Sequence, residues 1–277
     1  MTDAHNNRGA VLFRTLVRDA DRHLLWAAVL IGVLAPISAI LAVIDGRVLD
    51  GSNIWFKPLK FQVSTAVFLA TLAVAVPLAS AGFRRSIIGR ITVWTAISTA
   101  VFEIVYISLR AAIGVRSHYA FDDGFGSFMY GAMGIAAVVL SLTPIAVGIA
   151  AMATRSDDGQ LRIVRLGFAM GTIVTLAGAS GVGIMLGSEP AHYPVDAADA
   201  SSRLPVAMWS TERGDLRIAH FVGLHAMQGM FIAGLLLSGL PRWLAGVLLI
   251  TLAHAWLAGV VVLAALALDG RSPLPAI

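Results

Sequence analysis

Seven apolar segments follow one another along this chain, at about residues 23–44, 59–80, 88–112, 126–152, 161–187, 217–239 and 242–268. Each comes near the ~20 residues that an α-helix needs to cross ~30 Å of hydrocarbon. A helix satisfies its own backbone in lipid and a lone strand does not. The segments therefore predict an all-α fold, a polytopic transmembrane helix bundle of about seven spans. The chain divides into a tail (1–22), a transmembrane bundle (23–268) and a second short tail (269–277). Only 13% of residues are charged, about half the share of a soluble domain, so the lipid bilayer is the expected partner. With no Cys among 277 residues, disulfides, thiolate metal sites and Fe–S clusters are excluded. The formal net charge of +4 comes from 18 Arg and 2 Lys. In a membrane chain that balance speaks of topology, and no nucleic-acid partner is expected.

In the first tail, Val11, Leu12, Leu16 and Val17 oppose Arg14, Arg18 and Arg22. This spacing predicts a short amphipathic helix lying on an anionic bilayer face. The apolar run after Arg22 is too long for a signal-peptide h-region and no small-x-small site ends it, so it reads as a retained anchor. With the tail on the cytoplasmic side, that side holds 11 basic residues against 9 on the other. The tail and first connections weigh most, which predicts an N-in, C-out topology. Ten of the acids then fall outside and five inside, leaving Glu103 within a helix. The fifth segment carries Gly167-xxx-Gly171 and Gly183-xxx-Gly187, small-residue faces that let helix backbones approach closely.

The polar residues that flanking charge does not explain gather toward the predicted outer side. Asn53-Ile54-Trp55-Phe56-Lys57-Pro58-Leu59-Lys60-Phe61-Gln62 opens the second segment. Pro58 suits a first helical turn, and Lys57 and Lys60 read either as headgroup-snorkelling cations or as site residues. Glu103 lies beyond mid-membrane in the third segment, where an acid costs a few kcal/mol unless paired or protonated. It reads either as a structural partner of Lys60, Arg110 or Arg217, or as a functional group. Arg110 follows at i+7 on the same face. The next connection holds Arg116-Ser117-His118-Tyr119, and the longest one (about 188–216) holds Glu189, His192, Pro194, Pro205 and Met208-Trp209-Ser210. It leads into Gly214-Asp215-Leu216-Arg217, then His220, Phe221, His225 and Gln228. Arg217, Phe221, His225 and Gln228 share one face of an unbroken helix, with His220 roughly 140° around from His225. His254 sits near the middle of the seventh segment. A lone membrane histidine is more often a helix–helix contact than a ligand, but several on one side of a bundle raise the functional reading.

The strings Trp55-Phe56-Lys57-Pro58-Leu59-Lys60-Phe61, Ser117-His118-Tyr119 and Gly214-Asp215-Leu216-Arg217 through His220-Phe221-Val222-Gly223-Leu224-His225-Ala226-Met227-Gln228 resemble a family of uncharacterised bacterial polytopic membrane proteins. The resemblance implies a multi-pass location in the bacterial inner (cytoplasmic) membrane and supplies no reaction. Arg110 departs from it, standing where an uncharged amide is expected. The residues themselves offer three function classes. One is redox, with a haem b or quinone site in the outer half; His118, His225 and His254 are then the haem axial candidates. Another is a proton- or cation-coupled small-solute transporter using Glu103 and the histidines, although no pair of broken helices is evident in the sequence. The third is a membrane sensor or assembly factor that docks partners on its outer face. In each case the ligand-binding candidates are Lys57, Lys60, Glu103, His118, His192, Asp215, Arg217, His220, His225 and Gln228.

Overall fold

The computed structural model describes residues 2–121, 124–188 and 202–275. Helix α1 (Thr2–Arg18) and helix α2 (Arg22–Ile44) lead into a ribbon of β1 (Val48–Leu49) and β2 (Ser52–Asn53). Then come α3 (Phe56–Ala75, prolonged by a 3-10 turn at Val76–Leu78), α4 (Ala81–Arg85), α5 (Ile87–Ala112) and α6 (Gly124–Ala153). Helix α7 (Gly159–Thr175) continues through a π-helical turn (Leu176–Ser180) into α8 (Gly181–Ser188). Helices α9 (Leu216–Leu224), α10 (Ala226–Leu237) and α11 (Arg242–Leu268) complete the bundle. Apart from the two-residue strands the regular structure of the described residues is almost all helical, as the apolar segments predict.

Helix starts follow local chemistry. Asp21, Ser86, Asp158 and Asp215 each stand just before a helix and accept a hydrogen bond from its first free N–H groups, which a helix cannot satisfy internally. The β-ribbon turns at Asp50-Gly51, both with positive φ (51° and 72°), the backbone that a two-residue hairpin loop requires and that Asp-Gly favours.

Among the described residues six helices are long and apolar enough to cross a membrane, and the α9–α10 pair makes a seventh if its two parts count as one span. One segment expected as a continuous helix is broken: the sixth bends by 40° at His225. The fifth stays one helix and carries the π turn within it. Neither place has a proline, so apolar periodicity runs through both unmarked.

Helix α2 packs on α3, α5 on α6, α7 on α10 and α9 on α11. The largest core cluster includes Leu24, Leu69, Leu72, Ile104, Phe168 and Met227. Outward-facing Trp26, Leu30, Val43, Ile135, Leu236 and Val261 leave a broad apolar girdle, the surface a bilayer would cover. Helix α1 does more than lie beside that girdle. Leu16 is 3% exposed, Leu12 joins the main core, and Gly9 rests against the Leu235 carbonyl of α10. Val11, Phe13 and Val17 remain exposed, so one face of α1 is committed to the bundle and the other is open.

The connections gather at two ends. At one end Arg165 is only 6% exposed and donates to Leu78 O (2.9 Å) and Thr154 O (2.9 Å), while Arg242 donates to Asp157 O (3.1 Å). At the other end Arg47 donates to Ala112 O (3.0 Å), Arg116 pairs with Asp50 (2.6 Å), Tyr119 donates to Leu186 O (2.8 Å) and Ser272 to Ser210 O (3.0 Å). The candidate residues lie at and below this second end.

Candidate functional site

Helix α3 starts at Phe56, so Lys57 and Lys60 fall in its first two turns, on neighbouring positions of one face. Helix α5 runs up to the same end and carries Glu103, Tyr106, Ser108 and Arg110 in its last three turns. The two helices are joined at this level by Gln62 Nε2, which donates to Ser108 Oγ (3.3 Å). Helix α9 brings Asp215 and Arg217 from the third side.

Lys57 is the centre of this arrangement. Its amine is partly buried and feels the charges of Lys60, Asp50, Glu103 and Arg217. Among the described residues it makes no hydrogen bond and no ion pair. Glu103 is 6% exposed, Tyr106 8% and Gln62 2%, and each has an oxygen without a partner: Glu103 Oε1, Tyr106 OH and Gln62 Oε1. A buried polar atom left unbonded costs ~1–3 kcal/mol. Three of them on α3 and α5, one on the Glu103 that feels the Lys57 charge, with Phe61, Ile107, Met129 and Met133 in one cluster with Tyr106, mark a place that gains from a polar guest.

The structural partners foreseen for Glu103 are engaged elsewhere. Lys60 Nζ donates to Ala207 O (2.9 Å). Arg110 Nε donates to Arg116 O (2.7 Å), and its guanidinium lies 5.8 Å from the Tyr106 ring centroid. Arg217 forms a bidentate pair with Asp215 (2.8 and 2.5 Å) and donates to Met208 O (2.6 Å). Asp215 is 1% exposed and also accepts from the Ser210 and Arg217 amides. It is the clamp that fixes both Arg217 and the start of α9. Lys57 remains the one cation acting electrostatically on Glu103.

His118 packs between Phe61 (ring centroids 5.8 Å apart) and Tyr130 (6.0 Å), with Nδ1 3.2 Å from Ser117 Oγ. Burial, and next the nearby Lys57 charge, hold its imidazole well below the usual histidine range, so it is neutral at pH 7. Tyr119 and Phe121 extend the same aromatic group through Tyr130. His118 therefore belongs with Lys57 in the site.

The remaining histidines are placed differently. His220 Nδ1 lies 2.9 Å from Ala179 O in the π turn. His225 stands at the bend, 4.3 Å from the Phe221 ring and next to Gln228, whose Oε1 has no partner. Phe221 in turn meets Trp209 at 5.1 Å. His254 is exposed on the outer face of α11 with Nδ1 on its own helix, 2.8 Å from Ile250 O. No contact joins any two of His118, His225 and His254, and among the described residues no group of three or more His, Asp and Glu could hold a metal ion. His192 lies outside the described residues.

The sequence reading passed over Gln62, Tyr106 and Tyr130 as site residues, and Asp50 and Asp45 as the anchors of the end. An amide inside an apolar run was the available signal for Gln62. Asp45 accepts from Trp55 Nε1 (2.8 Å) and from Arg47 (2.7 Å). Arg47 first and Trp55 second hold its carboxyl below the ordinary range, and the pair fixes the Trp55 end of α3. No protein-family model, curated protein or solved structure matches the chain.

Proposed function

We propose that the chain is a proton-coupled small-solute transporter of the bacterial inner membrane, with N-in, C-out topology and its binding site in the extracytoplasmic half between α3, α5 and α9. The observation that carries this reading is the side-by-side burial of Lys57 and Glu103 with neither in an ion pair. Ionisable groups inside a membrane bundle usually mark a proton or substrate path. A carboxyl so placed gains or loses its proton according to the charge brought beside it, which is the physical basis of coupling. The broken sixth helix and the π turn it packs on support transport as well. The π turn and the His225 bend pack on one another, with Gly223 against Gly178 and Ala179, and discontinuous helices near mid-bundle are a recurring transporter feature.

Reconstituted in proteoliposomes with a pH dye inside, the protein should acidify or alkalinise the lumen when succinate, phosphate or choline is supplied, over the background of empty vesicles. Glu103→Gln should abolish that signal. No proton movement with any solute, or an unchanged signal in Glu103→Gln, overturns the reading. The orientation is tested separately: a reporter active only outside the cytoplasm should work when fused after Ile277 and fail in the 155–160 connection.

A quinone-linked redox role is the second reading. It is favoured by the cluster of tilted and edge-on rings of Phe61, His118, Tyr119, Phe121 and Tyr130, next to the Lys57 charge that His118 feels. Saturable quenching of protein fluorescence by a short-chain quinone, lost in His118→Ala, would support it. A Soret band in the purified protein would instead support the haem form, with His118, His225 and His254 as the axial candidates.

A further inference from the structure

Between residues 202 and 211 the chain forms a strap over the site. It is closed by the Arg203–Ser210 bridge and by amide bonds from Leu204 to Trp209 O (2.9 Å) and from Thr211 to Ser202 O (2.8 Å). Its tip is strained. Val206 has φ +61° while the Ala207 amide bonds to Pro205 O at 2.6 Å, and Met208 follows with φ +59°. A β-branched residue in the left-handed region is a true outlier, and such a conformation persists only where surrounding contacts impose it. The Met208 amide donates to Leu204 O (2.8 Å), and two side chains hold the tip from outside. The cationic groups of Lys60 and Arg217 hold the successive carbonyls of Ala207 (2.9 Å) and Met208 (2.6 Å).

Apart from the Arg116–Asp50 pair, the charged groups that act on one another at the strap's base include the cations Lys57, Lys60 and Arg217 but only two carboxyls, Glu103 and Asp215. A partly buried excess of positive charge is stabilised by an anion. Lys57 makes no bond, and beneath it Glu103 Oε1 and Tyr106 OH are buried without partners. A carbonyl dipole is a weaker acceptor for an ammonium or guanidinium than a full negative charge.

We propose that the site takes a small oxyanion, a carboxylate or phosphate, which displaces the Ala207 and Met208 carbonyls from Lys60 and Arg217 and so releases the strap. This names the substrate class of the transporter site proposed above and rests on that reading of where the site lies. Loss of two charge-assisted bonds removes what imposes the turn at Val206, so the strap relaxes as the anion binds. An anion arriving beside Glu103 repels its charge, so anion and proton enter together.

The test is hydrogen exchange of residues 203–211 in the full chain held in a phosphate-free maltoside detergent. Succinate or inorganic phosphate should speed exchange there by roughly tenfold at saturation, with chloride at equal ionic strength giving no change. Adding phosphatidylglycerol without free anion asks whether a lipid headgroup serves as the same oxyanion; strap release by either source supports the site and identifies the source. Lys60→Met should give fast strap exchange with no anion present. An unchanged strap with every oxyanion, or an equal response to chloride, overturns the proposal even if Lys60→Met does not fold. Strap release without proton movement in vesicles would instead leave the oxyanion site standing and remove the transporter; proton movement driven by choline alone, with a silent strap, would do the reverse.

Discussion

His220 Nδ1 lies 2.9 Å from the carbonyl oxygen of Ala179, in the π turn of the fifth long apolar helix. A carbonyl only accepts, so Nδ1 carries the proton and the imidazole is held in one tautomer. The contact is one of three that hold the π turn and the bend of the sixth helix. Thr175 Oγ1 accepts from the Met227 amide (2.9 Å), and Trp256 Nε1 donates to Val222 O (2.9 Å). In lipid, backbone groups released from a helix must find partners inside the protein. His220→Ala should therefore lower stability by ~1–3 kcal/mol, read as a fall in the melting temperature in detergent. Native melting of His220→Ala would show that the π turn does not depend on this bond.

Close approach of α7 and α10 is equally specific. A Cβ on Gly167 would lie 2.6 Å from Met230 O and 2.9 Å from Gly234 Cα, both backbone atoms that cannot swing aside. Gly167→Ala should cost ~1–3 kcal/mol through overpacking. Gly259→Ala in α11, where nothing lies within 4 Å, should be neutral or stabilising, since alanine favours a helix over glycine by ~1 kcal/mol. Equal melting temperatures for the two variants would contradict the packing.

Much of this was readable from the residues, for identifiable reasons. Twenty-residue apolar runs report helices because hydrocarbon leaves no other use for them. Asp21, Ser86, Asp158 and Asp215 report helix starts because free N–H groups need acceptors. The π turn of the fifth apolar helix and the bend of the sixth were not legible because the contacts that hold them are long-range: His220 bonds Ala179 and Thr175 bonds Met227, pairs 41 and 52 residues apart. The i+7 spacing of Glu103 and Arg110 suggested an ion pair. The structure sends Arg110 to Arg116 O instead, because a guanidinium two turns nearer the end reaches the connection more easily than it reaches back down the helix. Lys57 and Lys60 look equivalent in sequence, and only the strap distinguishes them.

His118 predicts an acid-side loss of stability. Its folded form holds the proton less readily than the unfolded chain, where the pKa is ~6.5, because burial and then Lys57 disfavour the charged ring. As pH falls, the unfolded state binds the proton first. The stability is fully present above the unfolded value and is lost as pH drops toward the folded one. The melting temperature should thus fall between pH 7.5 and 5.5. His118→Phe, which keeps an aromatic ring against Phe61 and Tyr130, should fall less over the same interval. Parallel profiles would show that His118 titrates alike in both states.

Glu103 and Asp215 make the last comparison, because both are buried acids and only one is in an ion pair. Asp215 accepts two bonds from the Arg217 guanidinium and two from backbone amides. Asp215→Asn leaves that guanidinium 16% exposed without its counter-charge, and breaking a buried pair this way costs ~3–5 kcal/mol. Glu103 has one oxygen unbonded and Lys57 acting on it without an ion pair. Glu103→Gln keeps the shape and removes only the titratable group, and no ion pair is broken. Its melting temperature should stay within a few degrees of wild type, with Asp215→Asn well below. If Glu103→Gln falls as far as Asp215→Asn, Glu103 is a structural counter-ion of Lys57 and its role in proton coupling is lost.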